Sequence, residues 1–588
     1  MVGQRNPNAS PSSHFRAPML LNISTAALLF GLAVLLAWPL GRYMARVYAG
    51  ERTGLAFLTP LERGFYRLAR INPDQAMTWQ RYVLALLGVN VVWLVWAVLV
   101  LLVQGKLPFW NPDHIPGMSF TQALHSAVSF LTSTNAQHYS GETGASYFAQ
   151  MAVFTFLQFV SAGTSLAVGV AVVRALGGRD STNVGNFYQD LVRSCLLVLL
   201  PLCFVFSVLF LLAGVPMTFE GAAAYTSLEG VAGTVARGPV AAMLAIKELG
   251  SNGGGFFGPN CAHPFETPNF AAFVLHHLAV LLTPMAFVFM LGYYLKQLRF
   301  ARMVFGVMLA GLLLLLVPAV IMELHSTPFL HSLGLDPAAA GNLEGKEVRF
   351  GVFHTAFYNS FNMAIPAGTL VGAQDSFTPL TGVPFMLLMQ IDAFFGGLGT
   401  GFLNFLVYLV IAAFVASLMV GRTPELLGKK IEAREMQVAT LVAVAQPVVV
   451  LASTALAAWV WHSTPDAADS LKWLSNTGAH GFSTMLYEFV SAAAGNGSGY
   501  EALGDNTTFW NLMPCLAMLS GRFVPIIGGL MLAAGLLAKP HTPPSVGGIR
   551  LESFTFALLL LVVIAILGAL LFFPALTLGP LAEFFAGR

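Results

Sequence analysis

Four times along this chain a run of apolar residues is broken by a short loop of small and polar residues. The breaks are Thr132-Ser133-Thr134-Asn135, Gly250-Ser251-Asn252-Gly253-Gly254, Pro366-Ala367-Gly368 and Gly495-Asn496-Gly497-Ser498-Gly499. Each follows a stretch that suits a half-length helix and lies between segments long enough to span a bilayer. Lipid cannot hydrogen-bond a bare backbone, so irregular chain at membrane depth survives only where it is buried in protein or lines water. Four such loops gathered about one axis would make a ring of carbonyl oxygens, the construction of a filter for dehydrated cations.

The 588 residues are 56% hydrophobic and only 10% charged, with mean hydropathy +0.72. This predicts an all-α polytopic membrane protein. The net charge of +2 gives no pointer to nucleic acid, and membrane lipid is the one bulk partner implied. Cys195, Cys203, Cys261 and Cys515 lack metal-ligand spacing and read as small core residues. Residues 1–17, rich in Ser, Pro and Asn, are expected to form a disordered tail. The apolar run after them is too long for a signal peptide and reads as a retained anchor.

A spanning helix takes about 20 apolar residues. Ten stretches qualify, near 18–40, 81–104, 147–175, 187–214, 270–294, 302–322, 385–420, 438–461, 508–537 and 551–579. The seventh is interrupted by Gly396-Gly397-Leu398-Gly399-Thr400-Gly401, where glycine permits a helix break and close backbone approach. Alternate connections hold most of the positive charge: Arg42, Arg46, Arg52, Arg63, Arg67 and Arg70; Arg174, Arg179 and Arg193; Lys296, Arg299 and Arg302; Arg422, Lys429, Lys430 and Arg434; Lys539 and Arg550. These connections are therefore expected in the cytoplasm, with both termini outside and all four broken loops entering from the outer face. The pattern is a repeat of span, half-helix, polar loop and span over 81–175, 187–294, 302–420 and 438–537. Residues 18–80 and 551–588, each with one span, lie outside it.

Carbonyl oxygens can replace an ion's water without a fixed negative charge. Gly253, Gly368 and Gly497 suit the backbone angles needed, with Asn135 in the corresponding place of the first loop. The hydroxyls of Thr132, Ser133, Thr134 and Ser251 are further candidate ligands, and Asn252, Gly254, Ala367 and Asn496 complete the candidate filter. The half-helices would aim the negative ends of their dipoles at it. The loops contain no Arg or Lys, which argues for a cation over an anion. Lys247 reads as an interfacial anchor. Asp392, before the glycine break, is a functional candidate as an intramembrane acid and could attract a cation leaving the filter. Glu142, Glu266 and Asp375 are expected at the outer mouth, and Arg522 is expected to pair with an acid or with loop carbonyls. Adjacent His276 and His277 read as packing residues. No GxxxxGK[ST] loop or long polar stretch is present, so the chain is expected to bind no nucleotide and to hydrolyse no ATP alone.

These residues resemble the family of potassium-binding A subunits of the bacterial Kdp potassium-transporting ATPases. The resemblance covers about 20–587 and rests on Ser140-Gly141-Glu142-Thr143, Ser251-Asn252-Gly253-Gly254-Gly255-Phe256-Phe257, His263-Pro264-Phe265-Glu266, Asp375-Ser376-Phe377-Thr378, the glycine run 396–401, the run 421–430, His480-Gly481-Phe482-Ser483 and Asn496-Gly497-Ser498. It implies a potassium channel-like fold in the bacterial inner membrane, with potassium as the transported ion. It also implies the partners of the Kdp complex: the B subunit, which is a P-type ATPase, together with the small C and single-span F subunits. Gln137 matches a position that influences ion binding, Arg422 and Arg522 are candidate structural or coupling charges, and Gly396, Gly397, Gly399 and Gly401 with Asp392 match a gating broken helix.

The chain departs from the family pattern in places. Ser133 stands where Asn is usual, and Asp392 lies one position early. The third loop, Asn362 to Gly368, has few hydroxyls and carries Pro366, which removes an amide donor. The expected function is a non-hydrolytic, potassium-binding subunit of an ATP-driven uptake complex. The rival expectations are a standalone channel or symporter and a non-conducting sensor or assembly protein.

Overall fold

The computed structural model describes residues 11–325, 341–463, 473–541 and 550–586. Among them, ten helices are long and apolar enough to cross a membrane. In chain order with the half-helices, they begin with α1 (Pro11–Tyr48), α2 (Trp79–Val103), half-helix α3 (Phe120–Leu131), α4 (Phe156–Gly177) and α5 (Phe187–Leu212). Half-helix α6 (Val240–Leu249), α7 (Phe270–Tyr294), α8 (Leu298–Leu324), half-helix α9 (Gly351–Ala364) and α10 (Pro379–Ile391), an apolar helix shorter than the ten spans, follow. The chain continues with α11 (Thr400–Met419), α12 (Ala433–Ser463), half-helix α13 (Gly478–Ala494), α14 (Thr508–Leu537) and α15 (Phe554–Ala586).

Several starts are set by side-chain caps that satisfy free amides. Ser119 accepts from the Gln122 N–H ahead of α3, Asn269 from Ala272 ahead of α7, and Thr507 from Trp510 ahead of α14. Two of the spans are inner ones: 89% of the most apolar window is buried in each of Tyr147–Gly177 and Phe270–Tyr294, against 28% in Trp79–Lys106. Helix α14 packs against α3 and α4, bringing the C-terminal part of the chain onto its N-terminal part. Helix α1 lies along α7, where a Cβ at Gly41 would stand 2.6 Å from the Ala286 carbonyl oxygen.

Two expectations need correction. Helix α1 begins at Pro11, inside the stretch expected to be disordered, and residues 1–10 lie outside the described residues. The seventh span is two helices, α10 and α11, and the break begins at Asp392 rather than within the glycine run. Asp392 (φ 42°) and Phe395 (φ 58°) are left-handed, as are Gly397 and Gly399. A side chain at Gly399 would meet the Ser165 carbonyl oxygen at 2.4 Å, which fixes glycine where the break presses on α4.

Candidate ion filter

The four half-helices end alike. In each, an amide beyond the helix donates to the carbonyl five residues back: Thr134 to Ser129 at 3.0 Å, Asn252 to Lys247 at 3.0 Å, Ala367 to Asn362 at 3.0 Å and Asn496 to Ser491 at 2.9 Å. In three of them the preceding residue is left-handed, namely Ser133, Ser251 and Gly495. Its amide donates to the carbonyl three back: Ser133 to Phe130, Ser251 to Glu248 and Gly495 to Ala492. This is the Schellman arrangement, which satisfies orphan carbonyls at a helix end. Pro366 occupies that position in the third loop. Its ring forbids positive φ and it has no N–H, so one of the two bonds is missing there.

Two residues beyond that position, each of the four loops is left-handed, at Asn135 (φ 58°), Gly253 (φ 110°), Gly368 (φ 59°) and Gly497 (φ 90°). The loops touch in a ring. A Cβ at Gly253 would lie 1.8 Å from the Ala367 oxygen, at Gly368 2.1 Å from the Asn496 oxygen, and at Gly497 1.9 Å from the Thr134 oxygen. A Cβ at Gly254 would meet Asn135 Cβ at 2.9 Å, which completes the circuit. Among the described residues no backbone N–H donates to the carbonyl oxygens of Thr134, Asn252, Ala367 or Asn496. These four oxygens hold equivalent places in the four loops.

Side chains pin the loops together. Gln137 donates to the Gly255 carbonyl at 3.0 Å and accepts from its amide at 2.8 Å, joining the first loop to the second. Asn260 donates to the Gly253 oxygen at 2.8 Å and to the Gly368 oxygen at 3.5 Å. Asn496 donates to the Asn362 carbonyl at 2.8 Å. Of the expected hydroxyls, those of Thr132 and Thr134 bond each other at 2.9 Å. Among the described residues, Ser133 Oγ and Ser251 Oγ are buried with no partner, as are both polar atoms of the Asn135 side chain.

On the helix side of the loops lies a small cavity of about 30 Å³, room for about one water or one bare cation. Ser133, Ser251, Pro366 and Gly495, the equivalent residues of the four loops, all line it, together with Asp392, Gly397, Thr400 and Arg522. Asn404 donates to Asp392 Oδ2 at 2.7 Å, whereas Oδ1 has no partner among the described residues. Arg522 donates to the Ser161 carbonyl at 2.9 Å, Ser165 Oγ at 2.6 Å and Thr400 Oγ1 at 3.3 Å. It thus bonds helix α4 and the start of α11, not an acid or the filter carbonyls. The Gly397 amide donates to the Ile365 carbonyl at 3.1 Å, tying the broken helix to the third loop. Arg422 is exposed at the far end of α11, away from this site.

Behind the second loop is a buried charge cluster that the sequence reading missed. Lys247, expected at the interface, is fully buried and reaches Glu266 Oε2 at 2.6 Å. It also donates to Asn260, the residue bridging the second and third loops. Glu266 is not at the mouth: it is fully buried and accepts the amides of Phe256 at 2.7 Å and Phe257 at 3.0 Å. His276 is more than a packing residue. Its Nδ1 lies 2.8 Å from Glu248 Oε1 and its Nε2 3.1 Å from the Glu266 carbonyl oxygen. With both nitrogens facing acceptors, this is the geometry of an imidazolium. Cys261 sits among them and, with Glu248 and His276, forms the one potential metal-ligand trio among the described residues. The Lys247 ammonium lies beside this trio, 3.1 Å from the Cys261 sulfur and 3.9 Å from Glu248 Oε1. Two acids facing Lys247 and His276 make a self-balanced network. His277 does pack, its ring against Phe273 and Tyr358.

At the loop-entry side, Glu142 accepts the Gly258 amide at 2.8 Å. Asp375 is bonded to His480 Nε2 at 2.8 Å, and His480 Nδ1 to Glu583 at 2.7 Å. These two carboxylates raise the His480 pKa to about 10. The recurring Ser/Gly-x-Asn/Gly spacing at the half-helix ends was visible in the sequence. The cluster's partners were not, because Glu248, Glu266 and His276 carry no local pattern.

The sequence matches the family described as Potassium-transporting ATPase A subunit over residues 27–585. It is 44% identical over 567 residues to the potassium-transporting ATPase potassium-binding subunit of Flavobacterium psychrophilum, covering 95% of this chain and 98% of the relative. The protein of the same description from Flavobacterium johnsoniae is 44% identical over 563 residues, again 95% and 98%. Among solved structures, the potassium transporter TrkH from Vibrio parahaemolyticus aligns at TM-score 0.49 and 16% identity, covering 86% of this chain and 97% of that one. A match spanning nearly the whole chain, with relatives of the same description at this identity, establishes that the chain belongs to the family of potassium-transporting ATPase A subunits.

Proposed function

We propose that this chain binds potassium in the ring of four loops and passes it to an ATP-hydrolysing partner. It is the potassium-binding, non-hydrolytic subunit of a transporting ATPase, embedded in the membrane by the ten spans found among the described residues. The observation that carries the filter assignment is the repeated helix end. Four like backbone turns, in contact around a ring, leave four equivalent carbonyl oxygens without amide partners. Oxygens held this way replace the hydration shell of a monovalent cation without a formal charge that would trap it. The C-terminal ends of the half-helix dipoles add negative potential.

In this reading the filter comprises Thr132, Ser133, Thr134, Asn135, Ser251, Asn252, Gly253, Gly254, Ala367, Gly368, Asn496 and Gly497, with Gln137 and Glu142 at its outer edge. The loops open outward, the arginine-rich connections face the cytoplasm, and the membrane is the bacterial inner membrane. A cation leaving the filter enters the cavity beneath it, where Ser133 Oγ, Ser251 Oγ and Asp392 Oδ1 are free acceptors. The broken helix with Gly396, Gly397, Gly399 and Gly401 bounds that cavity and gates the exit. Nucleotide chemistry belongs to the P-type ATPase partner, the B subunit, and the C and F subunits complete the assembly.

The test is rubidium or potassium uptake by the co-expressed complex in proteoliposomes. Uptake is expected only with ATP. Flux through this chain alone, without ATP, would instead identify a standalone channel. Failure of potassium to raise the purified chain's thermal stability would point to a non-conducting protein.

A further inference from the structure

A large groove lies far from the filter, at the arginine-rich end of the molecule. It has a volume of about 760 Å³, within the roughly 300–1,000 Å³ typical of ligand pockets. Its walls are apolar: Val89 and Trp93 from α2, Phe156 and Phe159 from α4, and Leu191 and Leu196 from α5. Its rim is polar, formed by Arg70, Asn72, Gln75 and Asn186. We propose that this groove holds an acyl chain of one anionic phospholipid, whose phosphate is bound by Arg70 at the rim.

Four observations carry this. First, the short helix Thr59–Leu68 beside the groove has an exposed apolar stripe, with Leu61, Phe65 and Leu68 exposed by 46%, 45% and 85% and Phe65 lining the groove itself. Arg63 and Arg67 share that helix, which is the composition of one lying in the membrane interface. Second, charge is complementary to an anion. Arg63, Arg67 and Arg70 are exposed and in no ion pair among the described residues, and the nearby Glu62 is already engaged by Arg193 at 3.0 Å. Asp74 is the remaining acid of this segment and is exposed.

Third, Arg70 is left-handed at φ 52°, in the helix-ending position where glycine is usual. Its amide donates to the Arg67 carbonyl at 3.3 Å and the Ile71 amide to the Tyr66 carbonyl at 2.8 Å. A long cationic side chain kept at a strained backbone position, over an apolar groove, indicates a use for that side chain. Fourth, the groove is built rather than incidental. Asn186, 4% exposed, ties the rim to α5 by donating to the carbonyls of Asn72 and Gln75 at 3.0 Å each. Two π-helical turns, Gln150–Thr155 and Ser194–Leu199, abut its walls; such turns recur at functional sites.

The experiment is native mass spectrometry of the co-expressed complex, exposed in detergent to phosphatidylglycerol or phosphatidylethanolamine of matched chains. The wild type is expected to retain one phosphatidylglycerol at least tenfold more than phosphatidylethanolamine. Arg70→Gly, which keeps the backbone angle available, should abolish that preference. Val160→Trp, which fills the groove, should abolish retention of both while the melting temperature stays within a few degrees. Equal retention of the two lipids by the wild type overturns the proposal. So does an Arg70→Gly complex that keeps the preference, or a partner chain found cross-linked over Trp93. None of these outcomes depends on the ion filter.

Discussion

Gly497 of the fourth loop stands directly against Thr134 of the first: a Cβ at 497 would approach the Thr134 carbonyl oxygen to 1.9 Å. The residue is also left-handed at φ 90°. Both constraints fall on the same residue, so any side chain there displaces the Thr134 carbonyl. Gly497→Asp and Gly253→Asp are expected to abolish high-affinity potassium uptake while leaving membrane insertion intact. The check is rubidium uptake beside the amount of assembled complex. Normal uptake in both variants would falsify the filter assignment.

Pro366 removes one amide bond and one side-chain hydroxyl from the third loop, at the position of Ser133 and Ser251. Pro366→Ser offers both back, since serine already adopts the required left-handed angle in two of the loops. A neutral hydrogen bond contributes about 1 kcal/mol. The expected outcome is roughly fivefold tighter potassium binding, read by potassium-dependent stabilisation or isothermal titration. Weaker binding would show that the rigid proline quadrant serves affinity in this protein.

Lys247 and Glu266 form a fully buried pair 2.6 Å apart. Removing one partner of a buried pair costs about 3–5 kcal/mol, because the other charge is left unpaired, whereas removing both costs less. Lys247→Met is expected to lower the melting temperature and the yield of complex sharply. Lys247→Met/Glu266→Gln should recover part of the loss. The cluster also holds Asn260 on the second and third loops, so both variants should bind potassium more weakly.

His480 gives the loop-entry face a pH dependence. Its pKa is raised from 6.5 to about 10, chiefly by hydrogen bonds to Asp375 and Glu583. A group whose folded pKa is raised stabilises fully below its unfolded value and loses that contribution as pH climbs through the folded one. The stabilisation is therefore complete below about pH 6.5 and is lost progressively toward pH 10. Melting temperatures of the wild type should fall across that window. His480→Gln should be less stable at pH 6 and show a flatter profile, and parallel profiles would exclude this role.

Much of the architecture was legible in the chain. Apolar runs long enough to span, half-length runs, and left-handed-tolerant residues after each half-helix are local properties, so Asn135, Gly253, Gly368 and Gly497 stood out by position. Asp392 and the glycine break were legible for the same reason. Lys247 and Glu266 were misplaced because adjacency to a loop says nothing about which way a side chain turns. The hydroxyls of Thr132 and Thr134 looked equivalent to that of Ser133 until their mutual bond showed them engaged.

The sequence by itself determined the membrane class and where the loops could turn left-handed, because length, hydropathy and backbone permissiveness are encoded within a few residues. Only the tertiary structure decided the partners of the buried charges and the closure of the ring. His138 meets Asn511 at 2.9 Å across 373 positions. Tyr358 reaches Glu248 at 3.5 Å across 110. A buried polar atom must find a partner wherever packing brings one, and no local pattern in the chain says where that is.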